Sequence, residues 1–235
     1  MVKVTNRLVR RKMDLVETYG KNGEKGIYSD MIDYLADYIR ARQKKELQTV
    51  IAITGRTGSG KSTLALQIAK AYSPDWDVEA NYIYSVSDLK KKLKKGRAAD
   101  PVSLFDEASV SLNSKNALAK ADKEIVVLFD TMRSWKWVTL MCLPSFSSLN
   151  KTIRDTHVDL LVSCPNAPLV RGYASRGFFE VYRPKMSTWA SKPFWELIGA
   201  GIYGPLDYET DLHYQAIKLQ HQQKLIDKFI SDSED

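Results

Sequence analysis

Cysteine is scarce: the 235-residue sequence holds two, Cys142 and Cys164. Both lie in apolar surroundings, which argues against a disulfide framework and more strongly against a metal site, and both read as buried core thiols. Long apolar runs are also missing, since none approaches the ~20 residues that span a bilayer. Met1–Arg7 has no apolar signal core. The three histidines, His157, His213 and His221, show no metal-ligand spacing. There is no internal repeat and no low-complexity linker. These absences lead to the expectation of a soluble, cytoplasmic protein without membrane insertion, virion-associated if its source is viral.

Positive charge is in excess. Lysine and arginine number 35 against 28 acidic residues, a formal charge of +7. Such a balance favours a polyanionic partner without specifying one. The charge is clustered: Arg7, Arg10, Arg11 and Lys12 crowd the N-terminus, and Lys90, Lys91, Lys92, Lys94, Lys95 and Arg97 form a second group. The last residues, Ser231–Asp235, are acidic.

Hydrophobic spacing predicts alternating helices and strands. Met31, Ile32, Leu35, Tyr38 and Ile39 recur at helical intervals between Ser29 and Leu47, with Ser29 or Asp30 placed as a cap. Thr49–Thr54 is a β-branched run that reads as a buried strand, and Ser62–Tyr72 as a helix packed on it. Further strands are expected at Asn81–Ser85, Pro101–Phe105, Val138–Leu143 and Val158–Ser163. Helices are expected at Ser87–Lys95, Lys120–Trp135 and Ser148–Thr156. Such alternation implies parallel βαβ units and a mainly parallel, doubly wound α/β sheet flanked by helices. Beyond Pro165, Leu169–Ala174 and Gly177–Tyr182 look like a hairpin, and Tyr208–Ile230 like a polar helix. The reading is an N-terminal basic arm and helix (1–47), a core (48–183) and a C-terminal extension (184–235).

The chemistry is concentrated in Gly55-Arg56-Thr57-Gly58-Ser59-Gly60-Lys61-Ser62, with Thr63 following. The glycines admit positive φ and a close backbone approach, so successive N–H groups can form an anion nest at a helix N-terminus. Lys61 would reach the β- and γ-phosphates of ATP or GTP, and Ser62 would ligate Mg²⁺. A P-loop also needs an acidic partner on a neighbouring strand. Val102–Phe105 ends in Asp106, placed for the metal, and Glu107, placed to polarise a water. Without the loop, that pair would read equally well as a solvated strand end. With it, a base beside the γ-phosphate favours hydrolysis over transfer to a small molecule.

These motifs, with the helix ending in Met132-Arg133, the strand after it and Ser148–Asp155, resemble the HerA–FtsK superfamily of DNA-translocating ATPases. Within it the pattern is similar to zonular-occludens-toxin-like and viral genome-packaging ATPases. The resemblance covers about residues 48–165. It implies a RecA/FtsK-like P-loop fold, a homo-oligomeric ring and a DNA partner, double-stranded by expectation. By resemblance Arg133 is an arginine finger acting on a neighbouring subunit's nucleotide, with Arg154 as rival. The polar sensor usual after that strand, often Gln, is replaced by Leu143-Pro144-Ser145, leaving Ser145 as the sensor candidate. Lys90–Arg97 is either a DNA-tracking surface or a solubilising helix face. Trp135, Trp137, Trp189 and Trp195 read as packing residues before base-stacking ones. The expected function is an ATP-driven motor for genome packaging or DNA mobilisation. The alternatives are a P-loop kinase and a nucleotide-gated assembly protein without sustained turnover.

Overall fold

Strand β1 (Thr49–Thr54) sits at the middle of the sheet and every residue in it is buried. That environment explains the uninterrupted β-branched run, because both faces of a parallel strand are covered by helices. The computed structural model describes residues 30–94, 102–106, 119–165, 177–186 and 193–231. The other strands are β2 (Tyr82–Ile83), β3 (Val102–Phe105), β4 (Val138–Leu143), β5 (Leu160–Ser163), β6 (Phe178–Lys185) and β7 (Phe194–Ile202). They form one seven-stranded sheet in the order β2-β3-β4-β1-β5-β6-β7. The first five are parallel, while β6 and β7 add antiparallel to that edge.

Helices cover both faces. Helix α1 (Asp30–Lys44) packs on α2 (Lys61–Tyr72), and their apolar residues Leu35, Ile39, Leu64, Leu66 and Ile68 meet Ile51 and Ile53 of β1. Short helix α3 (Val78–Asn81) precedes β2. On the opposite face lie α4 (Val86–Lys94), α5 (Ala119–Ser134) and α6 (Lys151–Thr156), whose Leu89, Phe129, Met132 and Ile153 meet Val50 and Ala52. The alternation of β1 thus supplies two cores from one strand. The doubly wound P-loop α/β architecture expected from the sequence is the one observed. The final helix, α7 (Tyr208–Ser231), crosses the end of the sheet where the parallel strands finish.

Local differences have identifiable causes. Asp77 caps α3 by accepting from the N–H groups of Glu79 and Ala80, so Asn81 belongs to a helical turn and the strand is only Tyr82–Ile83. Val158 does not open β5. At that point Asp159 N–H donates to Val50 O, and the Asp159 carboxylate accepts from Val50 N–H at 2.8 Å. The stretch read as one helix from Ser148 begins instead as a 3₁₀ turn, Phe146–Ser148, and resumes under an Asn150 cap. The expected hairpin partner of β6, Leu169–Ala174, lies outside the described residues. The sequence reading offered no strand at β7, which pairs with β6 from Phe178↔Ile202 to Lys185↔Phe194. Its Gly199 and Gly201 weaken the strand signal. Met31 of α1 fills the space that a Cβ on Gly199 would need.

Candidate nucleotide site

The loop after β1 is held at both ends. Gly55 N–H donates to Leu143 O of β4, and Ser59 N–H closes a turn on Arg56 O. Gly58 and Gly60 have φ of 77° and 85°, in the left-handed region that side chains disfavour. A Cβ on Gly60 would meet the Tyr203 hydroxyl, whereas Gly58 faces open space. Gly60 is also the N-cap of α2, with no side-chain cap and no acidic residue in the first turn. The helix therefore presents its free N–H groups and positive dipole end to any anion in the loop. Arg56, Thr57 and Gly58 are exposed, Ser59 is buried, and Thr63 is half-buried in the first turn. The Ser59 hydroxyl is buried without a hydrogen-bond partner.

Lys61 is directed back into the loop, donating from Nζ to Gly55 O at 2.8 Å and to Arg56 O at 3.0 Å. It is therefore positioned over the cradle, held by neutral carbonyls that a phosphate oxygen would outcompete. An uncapped helix start and a positioned ammonium are what a polyphosphate requires.

The acidic strand is not next to β1, as expected, but one strand removed, because β4 lies between. The gap is bridged from the helix: Ser62 Oγ donates to Asp106 Oδ1 at 2.9 Å. Asp106 is 2% exposed, so its charge is compensated locally rather than by water. Tyr214 of α7 donates to Oδ2 at 2.7 Å, Tyr82 reaches the same oxygen at 3.4 Å, and Lys218 Nζ lies 3.6 Å from it. Burial, followed by the Asp106 charge, drives the Tyr214 phenol pKa far up, so it stays a donor. A hydroxyl and one carboxylate suit Mg²⁺, which keeps several waters and takes the rest of its shell from nucleotide phosphate.

Both cysteines belong to this region. Each is free and buried. Cys164 packs behind Gly55, and burial pushes its thiol pKa up to about 12. Cys142, near the end of β4, is raised well above the usual thiol range, by burial first and then by the Asp106 charge.

The remaining candidates are dispersed. Glu107, Lys95 and Arg97 lie outside the described residues, as do Trp189 and the Arg7–Lys12 cluster. Ser145 stands exposed two residues beyond β4 and caps the 3₁₀ turn, accepting from Ser147 N–H. Arg133 sits at the other end of β4. Since β4 runs parallel to β1 with Thr49↔Val138 and Thr54↔Leu143, it is separated from its own loop by ~20 Å of strand at ~3.3 Å per residue. There it lines a cleft of about 520 Å³ with Arg42, Asp130, His157 and Asp159. Arg154 pairs with Asp155 at 3.0 Å. Of the α4 lysines, Lys91 and Lys94 are exposed, while Lys92 turns inward to Asn81 Oδ1 and the Trp137 ring. Trp137 is fully buried, donating to Ser103 Oγ at 2.7 Å.

Sequence reasoning missed Tyr203, Tyr214 and Lys218. Tyr203 donates to Ser59 O at 2.6 Å, tying the C-terminal segment to the loop. Thr210, Tyr214, Lys218 and His221 share one face of α7 by their spacing of four, four and three. That stripe was visible, but its target was not.

A family model described as Novel STAND NTPase 3 matches residues 35–143, a little under half of the chain. No curated protein matches the sequence. Among solved structures, the FIGL-1 AAA domain is 14% identical over 58% of this chain and 51% of its own, with a TM-score of 0.42. The match thus spans about half of that protein's chain. A genome-packaging NTPase of Sulfolobus turreted icosahedral virus 2, solved with ATP-γS, is 14% identical over 68% of this chain and 98% of its own, TM-score 0.39. A KaiC-like protein of Pyrococcus horikoshii OT3 is 13% identical over 67% and 90%, TM-score 0.37. At these scores the likenesses carry nothing about activity, and the family model names a different group from HerA–FtsK. The loop geometry, the sheet order and the family model that covers them give this chain the fold of a P-loop nucleoside triphosphatase.

Proposed function

We propose that this protein hydrolyses ATP in a homo-oligomeric ring and uses the energy to move DNA, in genome packaging or mobilisation. The observation that carries the ATPase part is the Ser62–Asp106 hydrogen bond, which joins phosphate loop and acidic strand across β4. Lys61 and the loop N–H groups from Gly55 to Thr63 bind and orient the triphosphate. Ser62 and Asp106 would hold Mg²⁺, which supplies charge neutralisation at the β- and γ-phosphates when bound. Glu107 is the candidate base for the attacking water, and Ser145 the candidate polar sensor.

The motor part rests on Arg133 and on charge. A guanidinium beyond reach of its own loop can complete only a neighbour's site, where such a group contributes ~10³–10⁵ in rate. The excess of +7 and the exposed Lys91 and Lys94, with Lys90, Lys95 and Arg97 beside them in sequence, suit a phosphate backbone. Among the described residues no helix is long and apolar enough to cross a membrane. Phosphate release from ATP, measured with and without double-stranded DNA across a salt series, tests the proposal. Stimulation by DNA that declines as salt rises is expected; indifference to DNA at every salt concentration contradicts the motor.

One observation favours a second reading, a nucleotide-gated assembly protein. Tyr214 and Lys218 engage the metal carboxylate from a C-terminal helix, so that helix can report the state of the site. Equal assembly with ATP and a non-hydrolysable analogue, with negligible turnover, would select this reading over the motor.

A further inference from the structure

Asp106 is crowded on one side by a helix that the nucleotide machinery does not require. A carboxylate offers about four lone-pair positions. Ser62 takes one on Oδ1, and Tyr214, Tyr82 and Lys218 converge on Oδ2. Three groups thus share the two positions of Oδ2, and a metal-bound water drawn to this carboxylate competes with them for its charge. Ser62 must stay, because it is itself a candidate metal ligand. Tyr82 is buried and fixed by the pairing of edge strand β2 with β3. Tyr214 and Lys218 are different: they hang from α7, whose opposite side carries exposed Leu212, Leu219 and Ile226.

The start of α7 is coupled to the loop as well. Tyr203 grips Ser59 O and occupies the space beside Gly60, and Gln67 of α2 donates to Gly204 O and Pro205 O. Further along, His221 stacks on Tyr84 with ring centroids 5.1 Å apart. The segment Tyr203–Pro205 and the inner face of α7 together therefore reach from the phosphate loop to the Asp106 carboxylate. We propose that α7 is a strap on this site: the Lys218 ammonium and Tyr214 hydroxyl hold Asp106 while no metal is bound, and magnesium nucleotide displaces them. The charge argument is direct. An ammonium and a divalent cation drawn to one buried carboxylate oxygen repel each other at low effective dielectric. Loading the site then loosens α7, which makes the C-terminal helix the element that signals nucleotide occupancy.

The inference rests on the nucleotide-site reading above, and its test separates the two. Hydrogen exchange of residues 208–222 is followed in the full chain alone, with Mg²⁺ alone, and with Mg²⁺ and ATP-γS. In parallel, the Mg²⁺ concentration needed for ATP-γS binding is measured for wild type, Lys218→Met and Tyr214→Phe. Exchange in α7 should rise on loading, and Lys218→Met should lower the Mg²⁺ requirement by about tenfold, within the usual range of coupling between two binding events. Tyr214→Phe should lower it in the same direction. If ATP-γS binds while α7 exchange stays constant or falls, or if Lys218→Met raises the Mg²⁺ requirement, the strap is overturned and the nucleotide site stands. If ATP-γS binds to none of the proteins, the nucleotide-site reading is overturned and the strap with it.

Discussion

In the proposed site Lys61 and Asp106 would carry the chemistry, with different kinds of support. The ammonium of Lys61 rests on two neutral carbonyls of its own loop, so its removal disturbs little besides the phosphate site. Lys61→Ala should weaken ATP-γS binding by at least tenfold with an unchanged melting temperature; equal binding would exclude Lys61 from the phosphate site. Asp106 is embedded among Ser62, Tyr82, Tyr214 and Lys218, so Asp106→Asn changes the balance of a buried network as well as the proposed metal site. That variant should bind ATP-γS with little dependence on Mg²⁺. These two residues were legible in the sequence because a glycine-spaced loop and an acid at a strand end are local patterns. Tyr203, Tyr214 and Lys218 were not, because each acts through contacts more than a hundred residues away. A polar helix face does not announce its partner.

At the scale of elements, the sequence was most readable where burial is symmetric. Strands β1 and β4 are buried on both faces, and their apolar runs mark them from first residue to last. Strand β7 is half-exposed, broken by glycines and dependent on pairing with β6, so its pattern is weak. The start of β5 shows another limit, since Asp159 replaces part of the backbone ladder with its side chain. Its carboxylate also pairs with Arg42 at 2.7 Å. Burial nevertheless dominates, pushing its pKa up to about 6 despite the Val50 N–H and Arg42. The folded state then holds this proton more tightly than the unfolded chain, so the contribution of Asp159 falls as pH rises from about 4 to about 6. Asp159→Asn should flatten that segment of a urea-unfolding pH profile; an unaltered slope would show that the group titrates normally.

For the whole molecule, the sheet order sets what one chain can do alone. The phosphate loop and Asp106 lie at the ends of β1 and β3, while Arg133 enters at the beginning of β4. A parallel sheet keeps those edges a strand length apart, so a finger at Arg133 requires a second copy of the chain. The sequence suggested this pairing by resemblance, but the separation comes from the register of β1 with β4. In the proposed ring, hydrolysis is completed between subunits. Mixing inactive Lys61→Ala, which keeps the arginine, with Arg133→Ala, which keeps the loop, tests it most directly. Arg133→Ala alone should bind ATP but barely turn it over, and the mixture should regain turnover that neither variant shows. Full activity of Arg133→Ala by itself, or a mixture as inactive as its components, would contradict it.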